Sequence, residues 1–305
     1  MNPPLVSDDT LASSAENIKI ATIDASVNIR KTILSGYCKK YFIKAICLNP
    51  NNPNYQYSLG YALYREGDYK NALTHLNVET TEAKVLKMLI KFQMGDLASS
   101  KSELEKLLKE NPENETILYA LAQIYNGLEL YKPALEMINR AIQINTKSFE
   151  YKSFLCNLLL KMGKKEDAKP EIEGLNNTYP NYYYAKVLKA KYYNDINDFD
   201  SLFETAQELI ELDMNQYEGY YYNALALVEK NDINFAIESL KKAITLDVNN
   251  ASLYVKMGEI YQSIGQYENA FEYIKEASDI DKSAKNKELY MQLAGILRRK
   301  GIKTN

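Results

Sequence analysis

The chain has no tryptophan, one histidine and three cysteines, with only 12 glycines and 8 prolines among 305 residues. So little Gly and Pro excludes a collagen-like repeat, and so few Cys exclude a disulfide-built scaffold. Cys38, Cys47 and Cys156 show neither CxxC spacing nor a histidine cluster, which argues against a structural zinc site. No apolar run approaches the roughly 18–20 residues of a membrane span. The first ten residues, MNPPLVSDDT, have neither a basic region nor an apolar one, so no secretory signal is read there. With an odd, unpaired set of thiols, this sets the expectation of a cytoplasmic location. Charge of one sign is lacking as well: 37 Lys+Arg stand against 40 Asp+Glu, a net charge of −3. Nucleic-acid binders carry a basic excess, so no nucleic-acid partner is expected. What is present, 46% hydrophobic and 25% charged residues, suits a folded chain rather than a disordered one.

The sequence repeats. Segments starting at Glu115, Phe149, Tyr183, Tyr217 and Ala251 follow one another every 34 residues without insertion or deletion. Segments at Lys19, Pro53 and Thr81 continue the pattern upstream, the one at Pro53 being six residues short. The eighth position of each unit is small (Ser26, Gly60, Ala122, Cys156, Ala190, Ala224, Gly258), with Met88 the exception. The twentieth is small too (Cys38, Ala72, Ser100, Ala134, Ala168, Ala236, Ala270), except for Leu202. The twenty-fourth is bulky and apolar (Phe42, Leu76, Leu104, Ile138, Ile172, Leu240, Ile274), except for Ala206. Small columns let two helices approach and bulky columns fill the space between them. Gly67, Gly95, Gly163 and Gly265 fall at the fifteenth position, where a helix must end and reverse. Pro50, Pro112 and Pro180 fall at the thirty-second, between units. The pattern predicts one helix–turn–helix unit written eight times.

The best-matched unit carries Tyr254, Met257-Gly258, Tyr261, Gly265, Tyr267, Ala270, Ile274 and Ala277. In these residues the chain resembles the tetratricopeptide-repeat (TPR) family, over nearly its whole length from residue 19. The resemblance implies an all-α TPR superhelical solenoid of about eight units with a C-terminal capping helix. Residues 1–18 are expected to form a flexible N-terminal segment and helix start, with Ser13-x-x-Glu16 resembling a capping box. Residues 19–284 are the repeats, and residues 285–305 the cap and tail. The cap would cover the last repeat through Leu289, Leu293 and Ile296. The short unit at Pro53 should have a truncated second helix and kink the stack. Leu202 and Ala206 should swap roles in the unit at Tyr183.

Little in the sequence encodes chemistry. His75 stands on a second helix with no nucleophile or second ligand to accompany it. Asp195, Asn197, Asp198 and Asp200 are acidic and amide residues between two helices, but an EF-hand starting there would need Gly and Glu where Asp200 and Ala206 stand. Capping of a helix by Asp198 or Asp200 is the simpler reading. No glycine-rich phosphate loop, GxSxG or HExxH occurs. The expectation is a chain that is not an enzyme and has no cofactor and no metal.

The 26 tyrosines divide. Tyr69, Tyr131 and Tyr267, and Tyr125, Tyr193 and Tyr261, fall in columns expected to be core. Others fall at the second, fifth, ninth and twelfth positions of the first helix, which in the TPR family line the concave side. The resemblance therefore implies a partner-binding groove of Tyr57, Tyr61, Tyr64, Leu89, Tyr119, Gln123, Asn126, Asn157, Lys191, Asn194 and Tyr221. Val85 and Phe92 add an apolar segment to a strip expected to be largely uncharged. Amphipathic rings and amides suit the side chains and backbone of a peptide. Packing between neighbouring first helices is the competing reading of the same rings. One TPR subclass grips acidic carboxyl-terminal tails with a Lys/Asn/Asn/Lys/Arg clamp. Here the nearest window offers Tyr57, Tyr61, Leu86, Thr116 and Ala120, so such a tail is not the expected partner. The function implied is a non-catalytic protein-protein interaction scaffold that binds a peptide or helix of another protein. The alternative is a structural subunit of a larger assembly, using convex or terminal surfaces.

Overall fold

Many helix starts in this chain are written by side chains that accept a backbone N–H, while those at Tyr131, Tyr183, Tyr217, Ile233, Ala251 and Tyr267 have no such cap. Asn52 accepts from Asn54, Thr80 from Ala83, Asn114 from Thr116 and Ile117, and Ser148 from Tyr151. Asp68, Asp96 and Asp198 do the same for the returning helices. The computed structural model describes residues 40–49, 52–77 and 79–301, and every regular element among them is a helix. The readings made for residues 1–39, including the capping box at Ser13 and most of the unit at Lys19, lie outside the described residues.

Two compact units divide the chain, Met1–Glu171 and Ile172–Asn305. In the first, α1 covers residues 40–48, followed by α2 (Pro53–Glu66), α3 (Tyr69–His75), α4 (Thr81–Gln93), α5 (Leu97–Glu110), α6 (Glu115–Gly127), α7 (Tyr131–Ile144) and α8 (Phe149–Lys161). The boundary falls inside α9 (Lys165–Thr178), one residue past Pro170, which removes a backbone donor from the interior of that helix. The second unit holds α10 (Tyr183–Ile196), α11 (Phe199–Leu212), α12 (Tyr217–Glu229), α13 (Ile233–Leu246), α14 (Ala251–Ser263), α15 (Tyr267–Ile280) and α16 (Ala284–Arg299). Helices pack on their successors, as α2 does on α3, α4 on α5, α6 on α7, α12 on α13 and α14 on α15, and first helices also touch one another, as α4 does α6 and α10 does α12. α3 has 7 residues where its counterparts have 14, so the six missing residues shorten the second helix of that pair.

The turn is the same each time. Position fifteen adopts a left-handed backbone in every described unit: Gly67, Gly95, Gly163 and Gly265 at φ +70 to +97, Asn197 at φ 60, Asn231 at φ 63, and Glu129 at φ 59. Gly meets no steric cost there and Asn a small one. Glu129 alone holds this backbone without either advantage.

Between paired helices the columns close up. Ala72, Ser100, Ala134, Ala168, Leu202, Ala236 and Ala270 are fully buried, and so are Leu76, Leu104, Ile138, Ala206 and Leu240. Leu202 and Ala206 do exchange size at their two positions with both sealed from water. At Gly258 a Cβ would fall 2.7 Å from Ile274 Cγ1 and 3.2 Å from the Ala270 carbonyl oxygen, so the absence of a side chain lets α14 and α15 meet. Each buried Leu or Ile contributes about 1.5–3 kcal/mol. The tyrosines of the eleventh and seventeenth columns differ from expectation. Tyr69, Tyr125, Tyr131, Tyr193, Tyr261 and Tyr267 are half-buried rather than core. A phenol needs a polar partner, and Tyr125 finds it at the rim by donating to Glu105 at 2.7 Å.

α16 closes the second unit. Leu293 and Leu297 are buried against Ala270, Phe271 and Ile274, with Leu289 and Ile296 partly covered. Leu297, not anticipated from the columns, carries more of this contact than Ile296. Asn286 fastens the start of α16 by donating to the backbone oxygens of Ala277 at 3.4 Å and Asp281 at 3.1 Å.

Candidate functional site

Tyr57, Tyr61 and Tyr64 follow one another at i, i+4 and i+7 on α2, which places them on one helical face. Their rings form a ladder, with centroids 6.4 Å apart for Tyr57 and Tyr61 and 6.3 Å for Tyr61 and Tyr64. One side of the ladder rests on the core cluster of Leu59, Leu63, Leu76 and Leu86. The other faces a cavity of about 910 Å³ within the first unit. α4 contributes Val85, Leu89 and Phe92 to the same cavity, and α6 contributes Tyr119, Gln123 and Asn126. Gly127 makes room for Phe92, because a Cβ there would lie 2.6 Å from the ring's Cζ. Tyr119 is braced by Tyr151 at 4.9 Å and, edge-on, by Phe154 at 5.5 Å.

Seven of the eleven expected groove residues thus line one cavity: Tyr57, Tyr61, Tyr64, Leu89, Tyr119, Gln123 and Asn126. Asn157 on α8 is not among the lining residues, and its amide nitrogen donates to the Ser153 carbonyl at 3.1 Å. Lys191 and Asn194 lie half-buried on α10 of the second unit, and Tyr221 lies half-buried on α12 beside Tyr222, with ring centroids 5.3 Å apart.

The strip is not uncharged, which corrects the expectation. Glu82, Glu115, Glu150 and Arg65 also line the cavity. Arg65 Nη1 donates to the Tyr61 hydroxyl at 3.2 Å, and its guanidinium stands 5.9 Å from that ring's centroid. Glu150 accepts a hydrogen bond from the Tyr119 hydroxyl. Burial raises the Glu150 carboxyl above its ordinary value, against lowering effects from Tyr119 and the Arg65 charge. Burial also raises the phenols: Tyr64 to about 12, with Tyr57, Tyr61 and Tyr119 raised as well. At neutral pH these rings are protonated donors. Glu150 and Glu82 both occupy the second position of their units, a column already assigned to the concave side, so periodicity alone could have found them.

The remaining candidates for chemistry behave structurally. His75 Nδ1 lies 2.8 Å from Gln56 Oε1. Asp198 caps α11 through the Ser201 N–H, and Asp200 pairs with Lys230 at 2.8 Å. Cys156 is buried, and burial pushes its thiol up to about 12. Cys47 is exposed. Among the described residues no helix is long and apolar enough to cross a membrane.

Comparison with known proteins identifies the same kind of repeat. A model described as "TPR repeat" matches residues 224–265, and models described as "Tetratricopeptide repeat" match residues 91–155 and 251–283. The TPR repeat-containing protein MJ1428 of Methanocaldococcus jannaschii is 23% identical over 284 residues, covering 85% of this chain and 49% of that protein. The chain therefore spans about half the length of this relative. Among solved structures, yeast Tom70 superposes with a TM-score of 0.62 at 16% identity, covering 88% of this chain and 59% of that one. The APC/C hetero-tetramer Cut9-Hcn1 gives 0.69 at 12% identity, covering 94% and 56%. At such identities the superpositions establish the all-α repeat fold alone.

Proposed function

The chain belongs to the tetratricopeptide-repeat family, and from that premise we propose that it is a non-catalytic interaction scaffold holding a peptide segment or helix of a partner protein. The groove of the first unit is the proposed seat. The observation that carries this reading is the convergence of Tyr57, Tyr61, Tyr64, Tyr119 and Leu89 on one open cavity of about 910 Å³. Three helices present apolar faces there with hydroxyls and amides interspersed, so a bound segment can bury side chains and still pair its backbone. The rings are half-buried, so less conformational entropy remains to be lost when a ligand orders them. A cytoplasmic location and the absence of a nucleic-acid partner belong to the same proposal.

Affinity capture would first identify a partner, and titration of the purified pair then tests the seat. Tyr61→Ala should weaken binding at least roughly tenfold with helix content unchanged, since truncating a central aromatic contact costs about 2 kcal/mol or more. Lys241→Glu on α13, an exposed position, should leave binding unchanged. Normal binding by Tyr61→Ala would remove the groove's central residue from the account.

A second reading, a structural subunit of a larger assembly, draws on exposed apolar side chains of the second unit. Met214, Phe235 and Met291 are each more than 60% exposed. Loss of binding in Lys241→Glu with Tyr61→Ala unaffected would favour it.

A further inference from the structure

The aromatic lining of the groove explains an apolar occupant, but it does not explain Glu150. That carboxylate is half-buried, is raised by desolvation, and accepts from Tyr119. The charge of Arg65 acts on it, while that guanidinium itself donates to the Tyr61 hydroxyl and stands over the Tyr61 ring. Among the described residues, no Lys, Arg or His nitrogen lies within 4.0 Å of it. The other carboxylates of the cavity are placed differently. Glu115 accepts from Asn145 at 3.4 Å, and Glu82 is exposed in the first turn of α4. Three carboxylates and one guanidinium therefore share the cavity, an excess of negative charge walled by tyrosine faces. Removing a carboxylate from water without supplying a cation is unfavourable, and an arriving cation reverses that deficit. Tyrosine faces also attract cations, and the long stems of Lys and Arg pack along apolar walls.

Resting on the groove reading above, we propose that the occupant is a peptide segment carrying a lysine or arginine, whose charged end meets Glu150 while its stem lies along the tyrosine rings. Charge complementarity singles out this class: an acidic segment would meet three like charges, and a wholly apolar one would leave the half-buried carboxylate without a counter-ion.

The probe is a phage-displayed library of randomised eight-residue peptides, selected in parallel on the full chain and on its Glu150→Gln, Glu150→Asp and Tyr61→Ala variants. Circular dichroism checks that each variant is folded. Peptides selected by the unaltered chain should be enriched at least threefold in Lys and Arg beside aromatic or aliphatic residues. Glu150→Gln should lose that basic enrichment while still selecting apolar peptides, and Glu150→Asp, which keeps the charge, should retain part of it. Replacing the basic residue of the best synthetic peptide by Gln should weaken it at least tenfold toward the unaltered chain and have little effect toward Glu150→Gln. Apolar peptides selected without basic enrichment, or an enrichment indifferent to Glu150→Gln, would overturn this inference and leave the groove standing. Selection that is absent, or unaffected by Tyr61→Ala, would overturn the groove itself.

Discussion

Glu129 shows how a single residue carries the cost of a repeated turn. It holds φ 59 at the position where four other units place Gly and two place Asn. A side chain with a Cβ pays about 1–2 kcal/mol in that backbone region, part of which Gly would return through its greater freedom when unfolded. Glu129→Gly should therefore stabilise the chain by about 0.5–1 kcal/mol, read as a higher urea midpoint with an unchanged slope. Glu150 makes the opposite kind of statement. Its folded carboxyl is raised above the ordinary 4.5, chiefly by burial, so folding shifts this group toward its protonated form relative to the unfolded chain. Its contribution to stability is fully present below 4.5 and is lost as pH rises through the folded value. Glu150→Gln, a neutral isostere, should match the unaltered chain in stability near pH 4 and gain on it as pH rises toward 7, measured by thermal melts across that range. A gap that widens toward acid instead would mean that Tyr119 and Arg65 outweigh burial at this carboxyl.

Between elements, packing turns on the two small columns. Gly258 sits where a Cβ would collide with Ile274 and crowd the Ala270 carbonyl. Gly258→Val should force α14 from α15 and cost about 1–3 kcal/mol or more, a loss of several degrees in a calorimetric melt. α16 is held by Leu293 and Leu297. Leu297→Ala should cost about 2–5 kcal/mol and raise self-association in sedimentation, because it loosens the cover on Phe271 and Ile274. A melt unchanged by Leu297→Ala would remove α16 from the core. Much of this scale was legible in the sequence. The first helices start at Pro53, Thr81, Glu115, Phe149, Tyr183, Tyr217 and Ala251, the residues at which the 34-residue register begins. That agreement has a physical basis, since the same columns that repeat are the ones sealed from water. The half-burial of Tyr125 and Tyr261 was not legible, because a column says which way a side chain points and not how far its hydroxyl reaches toward the rim. Leu297 was not anticipated because Leu289, Leu293 and Ile296 already make an apolar face of that helix in sequence.

The whole chain comprises two compact units, a division the uninterrupted 34-residue period conceals because every unit looks alike in sequence. The groove lies wholly within the first unit, and its aromatic wall was readable from the fifth, ninth and twelfth positions of three successive first helices. Its charge was not read, although Glu82 and Glu150 stand in the second-position column. Apolar and aromatic residues dominate the fifth, ninth and twelfth columns of that wall, and only the fold brings Glu150, Tyr119 and Arg65 to one place. This changes the expected response to salt: an occupant chosen by Glu150 should bind more weakly as ionic strength rises, where a purely apolar one would not. The central claim is that a partner peptide seats in this groove, and amide hydrogen exchange with and without the selected peptide tests it most directly. Protection should concentrate on α2, α4 and α6 and at the start of α8 around Glu150. Protection on the exposed face of α13 around Lys241, with α2, α4 and α6 exchanging as in the free chain, would contradict the account.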